Sequence, residues 1–218
     1  MGLVSRAALL AISLSSFVLA GCSSQSESGA SSGPGGGSPV AIVDSGAQTV
    51  TGTAPAASGS YPSIVILEPI GGGAQPPQAV PPRMDQEQQT FIPSILLVRT
   101  GQPVDFLNHD DVLHNVRARD DVTKESAFNV AIPTGETFTH TFLRDGFYDV
   151  GCDIHPGMTA QIVASASPYT VVADPSGAFR IANVPNGPYK ATVYAGARTI
   201  EKEINVVPGA AVVDLTAP

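Results

Sequence analysis

Seven residues constrain this chain more than any others: Cys152-Asp153-Ile154-His155-Pro156-Gly157-Met158. They place a thiol, an imidazole and a thioether at positions i, i+3 and i+6. On a strand, successive side chains alternate between faces, so i and i+3 point apart. A helix could align the three, but Pro156-Gly157 opposes helix continuation. The stretch therefore reads as a tight loop following a strand, wrapped around a soft transition-metal ion. A closed site needs further donors fixed by the fold, and a second imidazole has to come from upstream. With four His and two Cys in 218 residues, the search is short.

The rest of the chain reads as β-structure. Its 22 Gly and 19 Pro suit short strands joined by turns. No window has helical periodicity. Strand-like runs lie at 48–53 and 63–67. After a Gly/Pro-rich connector at 71–82, others follow at 91–92, 94–98, 103–107, 113–118, 128–132, 137–142, 146–152 and 158–164. A last series, at 170–174, 178–181, 189–194, 202–207 and 211–215, is too long to be a tail of the preceding segment. Strands at this spacing predict an all-β protein built from sandwiches.

The N-terminal region has a different character. Residues 1–21 have the profile of a signal peptide: Arg6 gives a positive start, and an apolar run too short to span a bilayer follows. The run ends Leu19-Ala20-Gly21-Cys22, which resembles the bacterial lipoprotein processing box. That resemblance implies a lipid on Cys22 and attachment to a bilayer. Ser23 after the cysteine points to the outer rather than the inner membrane of the cell envelope, with the protein facing the periplasm. Residues 22–39 read as a tether, since 14 of the 17 residues in 23–39 are Ser, Gly or Pro. Lipidation of Cys22 leaves Cys152 without a disulfide partner. A lone thiol in an oxidising compartment is a liability unless buried or ligated.

Two resemblances organise the folded part. Phe91-Ile92-Pro93, Val104-Asp105-Phe106, Asn108, His114-Asn115-Val116, Gly135-Glu136-Thr137, Phe147-Tyr148 and the Cys152/His155/Met158 loop resemble the plastocyanin and amicyanin type of cupredoxin, over roughly residues 82–164. The short Cys-x-x-His-Pro-x-Met spacing is closer to amicyanin. A looser likeness, through Met84-Asp85-Gln86 and the segment from Pro168 to Tyr189, is to bacterial plastocyanin-like proteins. The final stretch, VADPSGAFRIANVPNGPYKATVYAG, resembles the carboxypeptidase regulatory-like, prealbumin-type sandwich. That family begins with strands like QTVTGT and SIVIL, which here precede the cupredoxin-like segment. The expectation is a Greek-key cupredoxin sandwich at 82–164 inserted into a second small sandwich made of 40–81 and 165–218. Two domains in tandem are the simpler alternative.

The cupredoxin resemblance implies one type 1 copper site with His114, Cys152, His155 and Met158 as ligands. Cys152 would supply the thiolate, the two histidines neutral imidazoles, and Met158 a long, weak axial contact. Asn115 would tie the histidine loop to the cysteine loop and hold the thiolate in place. His155, with Pro156 beside it, would be the port through which an electron leaves. Zinc is disfavoured because it rarely uses thioether. Each residue also has a duller reading alone: an inert buried thiol, a loop histidine, a core methionine. His109 reads as a solvated loop residue and is the alternative nitrogen ligand. His140 shares strand parity with Phe138 and Phe142 and reads as a half-buried, satisfied histidine. Asp110, Asp111, Asp120 and Asp121 form an acidic cluster read as solvated loop.

Charge and motifs narrow the function. Without residues 1–21 the chain keeps 10 Lys and Arg against 19 Asp and Glu, a net charge of −9. That argues against nucleic acid and favours a cationic partner. There is no GxSxG, HExxH or phosphate loop. A nitrite reductase or multicopper oxidase would need a second copper centre with more histidines. The expectation is therefore no enzymatic role, and a lipid-anchored carrier of single electrons between cell-envelope redox proteins, with a basic cytochrome as the kind of partner the charge suggests. A copper-delivery protein and a structural sandwich with an incidental metal site are the competing readings.

Overall fold

The computed structural model describes residues 46–59, 62–72, 75, 76, 78, 80–209 and 211–218. The expected signal peptide, Cys22 and the tether lie outside the described residues. The described residues form one compact unit. Among the described residues there are sixteen strands and no helix. Among the described residues no helix is long and apolar enough to cross a membrane.

Two strands open the described chain, β1 (Gln48–Thr53) and β2 (Ile64–Pro69). Nine follow: β3 (Arg83–Glu87), β4 (Thr90–Ile92), β5 (Ile95–Arg99), β6 (Pro103–Leu107), β7 (His114–Asp120), β8 (Ser126–Ile132), β9 (Thr137–Thr141), β10 (Gly146–Gly151) and β11 (Thr159–Ser165). These nine make two sheets, ordered β5-β11-β10-β7-β8 and β4-β3-β6-β9. The last five are β12 (Tyr169–Val172), β13 (Ala178–Val184), β14 (Gly187–Ala195), β15 (Arg198–Val206) and β16 (Ala211–Asp214). They share sheets with the first two, in the orders β13-β1-β16 and β12-β2-β14-β15.

Each pair of sheets encloses its own core. The first gathers Met84, Phe91, Phe106, Val116, Phe142 and Ile162, among others, and Cys152 and Met158 belong to it. The second gathers Val50, Leu67, Phe179, Tyr189, Val193 and Leu215. Both hold a buried tyrosine whose hydroxyl donates to a carbonyl four residues upstream: Tyr148 to Arg144 and Tyr189 to Pro185, each at 3.0 Å. Burial pushes the Tyr189 hydroxyl up to about 12. The turn between β12 and β13 is fixed by Asp174, whose Oδ1 accepts from the Ser176 and Ala178 amides. Gly177 in that turn has φ +92°, and a Cβ there would lie 2.1 Å from the Ala54 carbonyl oxygen. Only glycine permits this approach.

The two sandwiches also pack back to back. Ile64 and Ile66 point away from the second core and meet Val163, which points away from the first; Ile95, Leu97, Phe147 and Tyr194 close around them. Strands buried on both faces lose the inside–outside alternation and read as continuous apolar runs. This accounts for IVIL in β2 and IVA in β11. Phe147 and Tyr194 meet edge to face, with ring centroids 4.8 Å apart.

Sequence reasoning placed most of these strands to within two or three residues. It missed β3, whose sequence RMDQE is charged at both ends. Its signal is the alternation itself, for Met84 and Gln86 are fully buried while their neighbours are not.

His140 sits on β9, half-buried between Phe128 (centroids 4.5 Å apart) and Phe142 (4.8 Å). Burial lowers its pKa below the ordinary 6.5. Below about pH 6.5 the unfolded chain therefore binds a proton that the folded chain resists. Stability contributed here is complete above that pH and is lost as pH falls below it. The drop in melting temperature from about pH 7.5 to about pH 5 should be smaller in His140→Phe than in the parent. An unchanged drop would refute the assignment.

Candidate metal centre

β7 opens on His114, at the end of the first sandwich where Cys152 leaves β10. The chain then loops through His155 and Met158 before entering β11. The loop closes on itself: the Met158 amide donates to the His155 carbonyl at 3.0 Å and the Cys152 amide to the Met158 carbonyl at 3.3 Å. Pro156 and Gly157 stop it from continuing as a helix. The effect is to fold positions i, i+3 and i+6 of a sequence leaving a strand over one point.

Three donor atoms converge there. Cys152 Sγ lies 3.9 Å from His114 Nδ1 and 4.0 Å from His155 Nδ1. The two Nδ1 atoms are 2.9 Å apart. His114 is fully buried, Cys152 is 3% exposed and Met158 2%, whereas His155 is half-buried. The His155 amide also donates to Cys152 Sγ, at 3.4 Å. A thiol, two imidazole nitrogens and a buried thioether in an apolar setting form a soft donor set, which fits copper.

The surroundings orient these groups. Asn115, 6% exposed, faces the loop from β7. Its Oδ1 accepts from the Asp153 amide at 2.7 Å, the Ile154 amide at 3.3 Å and the Cys152 thiol at 3.3 Å. Its Nδ2 donates to Asn129 Oδ1 at 2.8 Å and Asp153 Oδ2 at 3.1 Å. Asp153 also accepts from Asn129 Nδ2 at 2.9 Å and pairs with Arg117. On the other side, His114 Nε2 meets Asp110 Oδ2 at 3.0 Å. A carboxylate there accepts a hydrogen bond from Nε2–H and so leaves the Nδ1 lone pair facing the centre. The Gln89 amide, then the His114 ring, hold the Asp110 carboxyl below the usual carboxylate range.

Asp110 and Asp153 are the residues that sequence reasoning missed. Asp110 stood within what read as an acidic, solvated cluster. Its four-residue spacing to His114 was the available signal. The cluster is no single feature, since Asp120 Oδ1 accepts from the Val122 and Thr123 amides and Asp121 pairs with Lys124. His109, the alternative ligand, stands apart: its Nδ1 lies 2.5 Å from Asp85 Oδ2 and its side chain is 54% exposed. Pro156 is exposed and lines a cleft of about 480 Å³ with Arg117, Lys124, Cys152 and Met158.

Residues 79–165 match the family model of copper binding proteins, plastocyanin/azurin family. Similar solved structures include a purple cupredoxin from Nitrosopumilus maritimus, 25% identical, covering 38% of this chain and 99% of that chain, with a TM-score of 0.35. Another is the reduced state of an amicyanin point mutant, 23% identical, covering 39% of this chain and 82% of that chain, with a TM-score of 0.36. A third is the Cu-containing nitrite reductase of Thermus scotoductus SA-01, 27% identical, covering 45% of this chain and 25% of that chain, with a TM-score of 0.37. No curated protein matches the chain. The expectation of no enzymatic role is withdrawn, because an enzyme stands among the similar structures. The count of leftover histidines that supported it concerned residues of one chain only. The metal of this segment is copper.

Proposed function

We propose that residues 79–165, which match the family model of copper binding proteins, plastocyanin/azurin family, form a cupredoxin domain of the electron-transfer type, with His114, Cys152 and His155 as its strong ligands and Met158 its weak axial one. The chain then carries single electrons between redox proteins of the cell envelope, held to the outer membrane through a lipid on Cys22. The observation that supports this best is the convergence of one sulfur and two ring nitrogens within 4.0 Å of one another in a buried pocket. Copper held by this set supplies a one-electron couple.

The chain's own residues do the rest. Asp110 and Asn115 lock the His114 ring and the Cys152 loop, which keeps the donors still when charge changes. His155 is the ligand nearest solvent and is the electron port, with Pro156 beside it. Val112, Leu113 and Ile154 lie exposed on the two ligand-bearing loops and give a partner an apolar surface to rest on. The net charge of −9 without residues 1–21 favours a basic partner such as a cytochrome. Shared sheets between β1, β2 and β12 to β16 support reading 82–164 as an insertion into a sandwich of 40–81 and 165–218.

The test is the visible spectrum of the copper-loaded mature chain. An intense thiolate-to-copper band that bleaches reversibly on reduction is expected. Weak colour with rapid loss of copper to a chelator would overturn the carrier in favour of a delivery protein. Asp110→Ala frees the far side of the His114 ring and should weaken copper binding roughly 10- to 100-fold; competition with a chelator measures it. Cys22→Ala should move the protein from the membrane to the soluble fraction, and retention on the membrane would refute the anchor.

A further inference from the structure

A second group of metal-binding side chains lies away from Cys152. Asp85 and Glu87 are two residues apart on β3, so their carboxylates share a face. His109, in the loop after β6, comes over them. One ligand atom from each of the three lies within 4.8 Å of the others. The arrangement is built by the backbone: the His109 amide donates to the Gln86 carbonyl at 3.1 Å, fixing the loop to the strand between the two carboxylates. Gln86 itself is fully buried, and its Nε2 donates to the Leu107 carbonyl at 2.8 Å, securing the end of β6 from which the loop departs.

An ion pair between a protonated His109 and Asp85 would explain their close contact by itself. It leaves the Glu87 carboxylate beside the same ring without a counter-charge. Among the described residues no Lys or Arg pairs with Asp85 or Glu87, although Arg83, two residues before Asp85, pairs with Asp105. One nitrogen and two carboxylate oxygens on an open surface are the donors of a borderline divalent cation with water in its remaining positions.

We propose that Asp85, Glu87 and His109 form a second metal site, for a divalent first-row ion, with Cu(II) its tightest occupant. The order of affinities along that row favours Cu(II) over the other divalent ions at such a site. The donor set lacks sulfur, so it disfavours Cu(I) and is unsuited to an electron carrier. Its exposure makes it a place where Cu(II) is taken up and given back. This site does not depend on the assignment of the buried ligands, and a failure of either leaves the other standing.

Titration of the copper-loaded full chain with Cu(II) tests it, followed by metal analysis and electron-spin resonance. A second equivalent should bind, with the axial signal of an oxygen- and nitrogen-ligated Cu(II) and no added intense visible band. Glu87→Gln and His109→Ala should each weaken that second equivalent about tenfold or more. The band of the buried centre reports that each variant is folded. Uptake of one equivalent only, or a second equivalent unaffected by both substitutions, would overturn the site. A second equivalent without any blue band in the parent would overturn the proposed carrier instead.

Discussion

Cys152→Ser yields a folded protein with no blue colour. The serine hydroxyl is smaller than the thiol and stays protonated at neutral pH, so it supplies no soft anion. The two imidazole nitrogens remain, and any copper they retain gives only the faint bands of a nitrogen- and oxygen-ligated ion. Cys152 is one of many residues in its core, and the exchange costs stability about 1–2 kcal/mol. The cysteine-to-serine protein should therefore melt cooperatively a few degrees below the parent while its charge-transfer absorption vanishes. A coloured mutant would remove Cys152 from the site. Should the variant fail to fold, His155→Gln, at a half-buried loop position, gives the same test on a second ligand.

Asn115→Ala should cost substantial stability while leaving all proposed ligands in place. The side chain accepts from two loop amides and donates to Asn129 and Asp153. Alanine strands the Asp153 and Ile154 amides, while the Asp153 carboxylate keeps Asn129 and Arg117. At about 1 kcal/mol for each of the two amide bonds, with a further penalty for the amides left unpaired, the loss is about 3 kcal/mol. For a chain of this size that is on the order of 10 °C in melting temperature. The ligand loop loosens as well, so copper should exchange to a chelator faster than in the parent. Unchanged melting and unchanged exchange would show that the loop is held by its own backbone bonds.

How much of this could be read beforehand varied with the kind of interaction. The metal loop was legible because a Cys-x-x-His-Pro-x-Met run has few uses, and its histidine does meet the upstream one, with Nδ1 atoms 2.9 Å apart. The all-β class was legible from turn chemistry. Strand β3 was hidden because its two buried residues, Met84 and Gln86, are separated and flanked by charge. Asp110 was hidden for a different reason. An aspartate beside another aspartate in a loop looks solvated, and only the third dimension brings its carboxylate to a ring nitrogen four residues on. Asp153 was invisible as a partner because Arg117 and Asn129 come from two other strands. Side-chain networks of this kind leave no periodic trace.

The back-to-back seam of β2 and β11 has a mechanical meaning. The polypeptide crosses between the two sandwiches twice, once between β2 and β3 and again between β11 and β12. A body held by one thread can swivel; a body held by two, with Ile64, Ile66 and Val163 clasped between, resists torque. If the copper end meets a redox partner as proposed, aiming it is not a matter of an internal elbow. Both sandwiches must tumble together, so the second one adds drag to every reorientation of the first.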